Sequence, residues 1–167
     1  DVASAPKAVK EQRHGIAGGF FMWKVGGARA AKGGSLDDVI ASAQNVVNRT
    51  KSICVGLEPC VIPALGHSNF KIEDGTMEFG VGHHGEAGTK VEKLKSASEM
   101  AQEMAETILN DFDFEEGKEV AVMLSSLGAT PVMELYVLYD EVEKVLAKAG
   151  HKVWKTYIGN YVTSLDM

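Results

Sequence analysis

The spacing of apolar residues changes abruptly in the last third of the chain, and this constrains the fold more than any other feature. Residues 119–124 form a short apolar run typical of a buried strand, and residues 152–158 alternate apolar and polar side chains, as strands do. Between them, residues 131–148 have the three-to-four spacing of a helix, which ends at Gly150. Such alternation predicts an α/β layer structure.

The earlier part of the chain adds helices and a hairpin to this pattern. Asp74-Gly75 separates two alternating runs, 70–73 and 76–80, and this arrangement predicts a β-hairpin. A hairpin requires antiparallel pairing, which disfavours a purely parallel doubly wound sheet. The other predicted elements are a strand over 52–57 and helices over 7–32, 35–50 and 94–112. Together they indicate a two-layer α/β domain, α+β-like, with a mixed β-sheet.

Two of the helices have recognisable capping residues. Ser35 places a hydroxyl before the acidic first turn of the second helix. Thr130 is predicted to be the N-cap of the helix over 131–148, with Pro131 at the first helical position. Thr130-Pro131 is interpreted as a well-formed turn into a helix, although a helix N-terminus can also contact a phosphate or a partner loop.

Charge and composition exclude several classes of partner. The 167-residue chain has a formal net charge of −6, whereas nucleic acids and anionic membranes recruit basic patches, so neither is expected as a partner. No run approaches the roughly 20 apolar residues of a membrane span. Cys54 and Cys60 lack CxxC spacing, and the N-terminus lacks the pattern of a secretory signal. We therefore expect reduced thiols and a cytoplasmic protein.

The densest functional signal is the glycine-rich segment 80–88, which contains His83, His84 and Glu86. Glycine permits positive φ angles and lets a ligand approach the backbone closely. A metal site is disfavoured, because adjacent histidines on an extended chain point to opposite sides and the two remaining ligands are too few. A phosphate-binding loop is disfavoured too, because no GxxxxGK[ST] motif occurs.

Two interpretations of this segment remain open from the residues alone. One is a surface turn that carries histidines without chemistry. The other makes one histidine a nucleophile or an acid–base group toward a small substrate, with Glu86 orienting its ring. No metal is expected in either case.

Four segments in order resemble one known family. Residues 76–88 (TMEFGVGHHGEAG) resemble the signature of the substrate-binding subunit of dihydroxyacetone kinases, and 60–63, 127–136 and 158–167 resemble three further motifs of that family. The resemblance implies a two-layer, DAK1/DegV-like second domain over residues 1–167. It also implies a longer protein, because the N-terminal half of such subunits, with their general base, has no counterpart here.

The resemblance further implies a function and a site. Family members hold a short-chain ketose, typically dihydroxyacetone, as a hemiaminal on a histidine, which by motif position is His84. Gly82 and Glu86 complete the expected substrate-binding residues. This domain would bind no cofactor, because the phosphoryl donor, ATP-Mg or a phosphohistidine protein fed from phosphoenolpyruvate, belongs to a partner subunit or domain. Homodimerisation is expected from the family alone.

Some residues depart from the family pattern. His83 stands where a small apolar residue is usual, and Glu58 also occupies a usually small position. Both could reshape the pocket. Two alternatives to a dihydroxyacetone kinase therefore follow: a kinase for a four-carbon ketose, and a non-catalytic coregulator that senses dihydroxyacetone.

Overall fold

The computed structural model describes residues 1–68, 70–112 and 119–167. A 3-10 helix at Lys7–Gln12 precedes the regular elements. Those elements are α1 (Gly19–Ala31), α2 (Leu36–Asn48), β1 (Val55–Gly56), β2 (Val61–Ile62), β3 (His67–Ser68), β4 (Thr76–Phe79), β5 (Lys90–Lys93), α3 (Ala97–Asp111), β6 (Glu119–Ser125), α4 (Val132–Lys148) and β7 (Lys152–Gly159). The predicted α/β class is confirmed.

The strands form three small sheets in the described part of the chain. β4 lies between β1 and β5 in an antiparallel sheet, β2 pairs with β3 antiparallel, and β6 pairs with β7 parallel. Helix α4 connects β6 to β7, as a parallel pair requires. Parallel and antiparallel pairing are therefore both present, but in separate sheets.

The predicted hairpin of 70–73 with 76–80 is wrong. Gly75 has the left-handed φ of a turn, +75°, yet Thr76–Phe79 pairs with Lys90–Lys93 on one side and with Val55–Gly56 on the other. Met77, Glu78 and Phe79 are buried, which fits a central strand. Both edges of β4 are therefore occupied, and no edge is left for residues 70–73.

The single helix predicted over 7–32 is also wrong. The chain leaves the 3-10 helix at Arg13, where ψ is 142°, and becomes α-helical again at Gly19. Arg13 donates from Nε to the Ala5 carbonyl oxygen at 2.7 Å and from both terminal nitrogens to Asp111 at 2.7 and 2.8 Å. These bonds stabilise the non-helical backbone between the two helices. Glycine in the following residues also makes a continuous helix there costly.

Serine caps explain where α2 and α3 begin. Ser35 and Ser96 each form a reciprocal capping box, with Asp38 and Glu99 respectively. The prediction that Thr130 caps α4 is wrong by one position. Pro131 itself is the N-cap, with an extended ψ of 145° and no side-chain cap, so the helix begins at Val132.

Two hydrophobic clusters of described residues support the fold. One contains Val142 and Leu146 of α4 with Ala101 of α3 and packs against β6 and β7. The other lies below the glycine-rich segment and contains Cys54, Cys60, Val81, Leu127 and Met167. Both cysteines are free thiols, as predicted. Among the described residues, no helix is long and apolar enough to cross a membrane.

The Arg13–Asp111 pair is expected to stabilise the fold measurably. Both side chains are about nine-tenths buried, and the bond to Arg13 holds the pKa of the Asp111 carboxyl below its usual range. Asp111→Asn should lower the free energy of unfolding by about 3 kcal/mol at neutral pH, because it leaves a buried guanidinium unpaired. Urea denaturation would measure this change.

The pH dependence of the stability difference and a control substitution make this test specific. Because the native pKa is depressed, the pair contributes above the ordinary aspartate pKa, and its contribution is lost as pH falls toward the native value. The difference between wild type and variant should therefore shrink in acid. Asp140→Asn removes an exposed pair with Lys144 and should cost less than about 0.5 kcal/mol. Equal losses from the two substitutions would contradict the argument.

Cys54 is expected to be chemically inert in the native protein. Its side chain is buried, and burial raises the pKa of its thiol to about 12. Because the thiolate is the reactive species, iodoacetamide should alkylate Cys54 at mildly alkaline pH more than about 100-fold slower in the native protein than in urea. Peptide mass mapping separates Cys54 from Cys60. Equal rates in the native and unfolded protein would refute the prediction.

Candidate functional site

The glycine-rich segment forms a closed turn anchored on the core. Val81, two residues after the end of β4, is fully buried. The Gly82 N–H donates to the Glu86 carbonyl oxygen at 2.9 Å, and the Gly85 N–H donates to the Gly82 carbonyl oxygen at 3.0 Å. Gly85 has a φ of +85°, which favours glycine. The segment 82–86, called the site turn below, is therefore a defined structure.

Gly82 supplies space within the site turn. A Cβ at this position would lie 2.1 Å from Glu86 Oε2 and 2.6 Å from Cδ of the same side chain. Gly82 is buried and is not among the residues that line the neighbouring cavity. Its observed contribution is to let the Glu86 carboxylate fold back over the turn.

The Glu86 carboxylate contacts His84 in two places. Its Oε2 accepts a hydrogen bond from the His84 backbone N–H at 3.0 Å, and its Oε1 lies 3.4 Å from His84 Nδ1, within ion-pair distance. A carboxylate next to Nδ1 favours the tautomer with its hydrogen on that nitrogen, which leaves a lone pair on Nε2. The His84 side chain is 73% exposed, so this ring is accessible to a ligand.

The charge state of Glu86 is set by its neighbours. Partial burial alone would raise the pKa of this carboxyl group. The N–H groups of Glu86 and His84, with the positive charge of nearby imidazoles, outweigh burial and hold the pKa below its usual value. Glu86 is therefore ionised at neutral pH and acts as an acceptor for His84.

His83 and His84 lie side by side, which corrects the expectation that they point to opposite sides. Their ring centroids are 3.8 Å apart, and the ring planes are inclined by 41°. The expectation assumed an extended backbone, but the site turn is tightly curved. His83 is half-buried, its Nδ1 lies 3.1 Å from the Gly15 carbonyl oxygen, and its own carbonyl oxygen accepts from the Ser164 hydroxyl at 2.5 Å.

The two histidines and Glu86 open onto a cavity of about 380 Å³. Three parts of the chain surround it: the site turn, the start of α1 with the residues before it, and the segment after β7. The lining residues are His14, Gly15, Ile16, Ala17, Gly19, Phe20, Trp23, His83, His84, Glu86, Tyr161 and Val162. The cavity therefore combines an aromatic wall with imidazole and carboxylate groups.

The aromatic wall was not recognised as part of a site from the sequence. Phe20 and Tyr161 make an edge-to-face contact with ring centroids 5.0 Å apart, although they are far apart along the chain. Ser125 Oγ accepts from the backbone N–H groups of Tyr161 and Val162 at 3.0 and 3.3 Å and so positions this segment. The available signal was only the apolar spacing of Phe20 and Trp23, which equally indicates a core-facing helix.

Other residues considered from the sequence lie elsewhere. Glu58 is exposed and does not line the cavity, and neither does Thr130. Within residues 1–68, 70–112 and 119–167, no three His, Cys, Asp or Glu side chains are grouped so that they could hold a metal ion. The chemistry available in the cavity is therefore that of imidazole next to carboxylate.

Comparison with known proteins places this site in a family. The model of the Dak1 domain matches residues 1–167, the whole chain. The chain belongs to the Dak1 domain family. This match confirms the resemblance inferred from the four motifs. The site turn lies within the main motif, residues 76–88.

Known relatives of this Dak1 chain include kinases and a regulator. It is 36% identical to the dihydroxyacetone-binding subunit DhaK of the PTS-dependent dihydroxyacetone kinase 1 of Listeria innocua, over 100% of this chain and 51% of that subunit. It is 35% identical to the D-erythrulose kinase of Mycolicibacterium smegmatis, over 100% of this chain and 29% of that protein. The chain spans about half the length of the first curated relatives it matches.

A solved structure supports the same assignment of fold. The dihydroxyacetone kinase operon co-activator Dha-DhaQ matches with a TM-score of 0.80 and 30% sequence identity, over 92% of this chain and 47% of that chain. Relatives with this domain therefore include both enzymes and a co-activator.

The contact between Glu86 and the His84 amide can be tested by NMR. Glu86→Gln removes the charge of the acceptor, and Gly82→Ala forces the carboxylate away from its present place. Both substitutions should move the His84 amide proton upfield. In the wild type, this proton should follow the ionisation of Glu86, with a midpoint below the usual glutamate pKa.

Gly27→Ala is the matched control, because a Cβ there meets nothing within 4 Å. It should leave the His84 amide unchanged. A resonance that is the same in wild type, Glu86→Gln and Gly82→Ala would contradict the described geometry.

Proposed function

We propose that residues 1–167 form the C-terminal, ketose-binding domain of a dihydroxyacetone kinase substrate-binding subunit. In this proposal His84 holds a short-chain ketose covalently, and Gly82 and Glu86 complete the binding site, Gly82 by leaving room for the Glu86 carboxylate. The observation that carries the proposal is the accessible His84 ring, whose Nδ1 faces a carboxylate at the edge of a cavity. The kinases among the named relatives support the same substrate class.

The covalent step needs the groups that His84 and Glu86 provide, with water as the proton carrier. The lone pair of His84 Nε2 attacks the carbonyl carbon, and the carbonyl π electrons move to the oxygen, which takes up a proton from water. Nδ1 releases its proton to Glu86 or to water, so the net reaction adds N–H across the C=O bond. No atom leaves and no electron acceptor is required. The product is a hemiaminal.

This chemistry selects substrates by their functional group. A ketone has an electrophilic carbon, whereas glycerol, which is otherwise similar to dihydroxyacetone, has none. Covalent attachment therefore rejects glycerol without relying on shape. It also fixes a terminal hydroxyl in place, and positioning supplies much of the catalysis of phosphoryl transfer.

The phosphoryl donor is proposed to come from a partner subunit or domain. The sequence has no GxxxxGK[ST] loop, and the high exposure of His84 leaves the attached ketose open to an approaching donor. The donor would be ATP-Mg or a phosphohistidine protein fed from phosphoenolpyruvate. Homodimerisation belongs to the same proposal and rests on the family resemblance, whereas a cytoplasmic location rests on the two cysteines, which are free thiols.

Two alternatives are favoured by particular comparisons. The similarity to the co-activator Dha-DhaQ favours a domain that binds dihydroxyacetone and regulates without transferring phosphate. The similarity to D-erythrulose kinase favours a four-carbon ketose as substrate. In both alternatives the carbonyl chemistry at His84 is the same, and what differs is the ketose or the presence of a donor.

The covalent role of His84 can be tested with carbonyl-labelled dihydroxyacetone. In the full-length protein, the ¹³C resonance of the carbonyl carbon should move to the tetrahedral region. Native mass spectrometry should show the addition of one intact ketose without loss of water, which distinguishes a hemiaminal from a Schiff base. His84→Ala should abolish both signals, because it removes the nucleophile.

His67→Ala is the control for this experiment. His67 is an exposed histidine in β3 that does not line the cavity, and its replacement should leave the adduct unchanged. An equal adduct in His84→Ala would refute the covalent role of His84. Turnover with ATP or with the phosphoenolpyruvate relay would support a kinase, and an adduct without turnover by either donor would support the regulator.

A further inference from the structure

The proposed covalent step uses His84 and Glu86 but leaves the neighbouring imidazole of His83 without a role. This ring lines the same cavity, and its centroid lies 3.8 Å from that of His84. It is held in place at both ends, because its Nδ1 is bonded to the Gly15 carbonyl oxygen and its backbone carbonyl oxygen is bonded to Ser164. A ligand on His84 would therefore meet a fixed polar ring.

Ser164, which donates to the His83 carbonyl oxygen, is itself held in place by the core. Ser164 is a buried polar residue, and its backbone N–H donates to the carbonyl oxygen of Leu127, which belongs to the core cluster below the site turn. On the opposite side, Gly15 lies in the segment that follows Arg13, which is bonded to Asp111. The orientation of His83 is thus set by the core on one side and by the wall of the cavity on the other.

The bond to Gly15 determines which nitrogen of His83 is available. A carbonyl oxygen only accepts hydrogen bonds, so Nδ1 must be the donor and carries the hydrogen. In the neutral ring, Nε2 then has a lone pair and is an acceptor. The cavity wall accordingly offers a hydrogen-bond acceptor next to the proposed nucleophile, and a substrate hydroxyl is a matching donor.

We propose that His83 is a specificity-determining residue that accepts a hydrogen bond from a hydroxyl adjacent to the carbonyl of the bound substrate. The inference rests on the proposed function, because it requires the ketose to be attached to His84. A hydroxyl on the neighbouring carbon is only a few bonds from His84 Nε2, within reach of a ring 3.8 Å away. His83 therefore selects α-hydroxy ketones over ketones that lack this hydroxyl.

Two ketones of similar size separate this role from packing. Dihydroxyacetone carries a donor on each side of the carbonyl, whereas the analogue with fluorine in place of both hydroxyls carries none. Fluorine also makes the carbonyl more electrophilic, so this analogue should form an adduct with His84 in any variant whose site is intact. The apparent dissociation constant of each adduct would be measured on the full-length protein by ¹³C NMR titration.

His83→Leu should weaken the dihydroxyacetone adduct about tenfold or more, because a hydroxyl would lose its partner, and should change the difluoro adduct less than about twofold. His83→Gln retains an oxygen acceptor and should recover most of the lost affinity. The difluoro adduct of each variant also shows that its site is folded. This selective pattern, with recovery by glutamine, would support the proposal.

Other outcomes overturn one or both proposals. If His83→Leu weakens both adducts equally or neither of them, the specificity role of His83 is overturned while the covalent role of His84 stands. If His83→Gln is as weak as His83→Leu toward dihydroxyacetone, the acceptor role is likewise overturned. If the wild-type protein forms no adduct with either ketone, or if adducts persist in His84→Ala, the proposed function fails, and the role of His83 fails with it.

Discussion

The ion pair between Arg13 and Asp111 is the constraint on which the arrangement of the site depends. It joins the segment before α1 to the last residue of α3, with side chains that are 9% and 11% exposed. Since the backbone stays out of helical conformation at Arg13, the next two residues, His14 and Gly15, reach the cavity. A continuous helix at this point would remove the carbonyl oxygen that His83 contacts.

Helices and strands were predictable from the sequence where their own residue pattern agrees with how they pack in the fold. Helices α2 and α3 begin at serines that form capping boxes, and the apolar run over 119–124 forms β6. The hairpin around Asp74-Gly75 failed for a different reason. Turn residues indicate that the chain reverses, but the partner of β4 was decided by distant strands on both of its edges. The residues around the turn do not indicate which strands pair with β4.

The candidate site also has parts that were predictable from the sequence and parts that were not. The site turn was predictable because glycine, histidine and glutamate follow one another within a few residues. The side-by-side placement of His83 and His84 was not, because it depends on backbone curvature produced by the bonds between Gly82, Gly85 and Glu86. The wall formed by Phe20 and Tyr161 required tertiary contacts between distant parts of the chain.

The burial of Val81 below the site turn has a consequence for the thermodynamics of ligand binding. The turn is closed by its own backbone hydrogen bonds, and the residue before it, Val81, is part of the core. Its conformational entropy is therefore lost when the protein folds rather than when a ligand arrives. A small ligand makes few contacts, and a preorganised loop lets it keep more of their free energy as affinity.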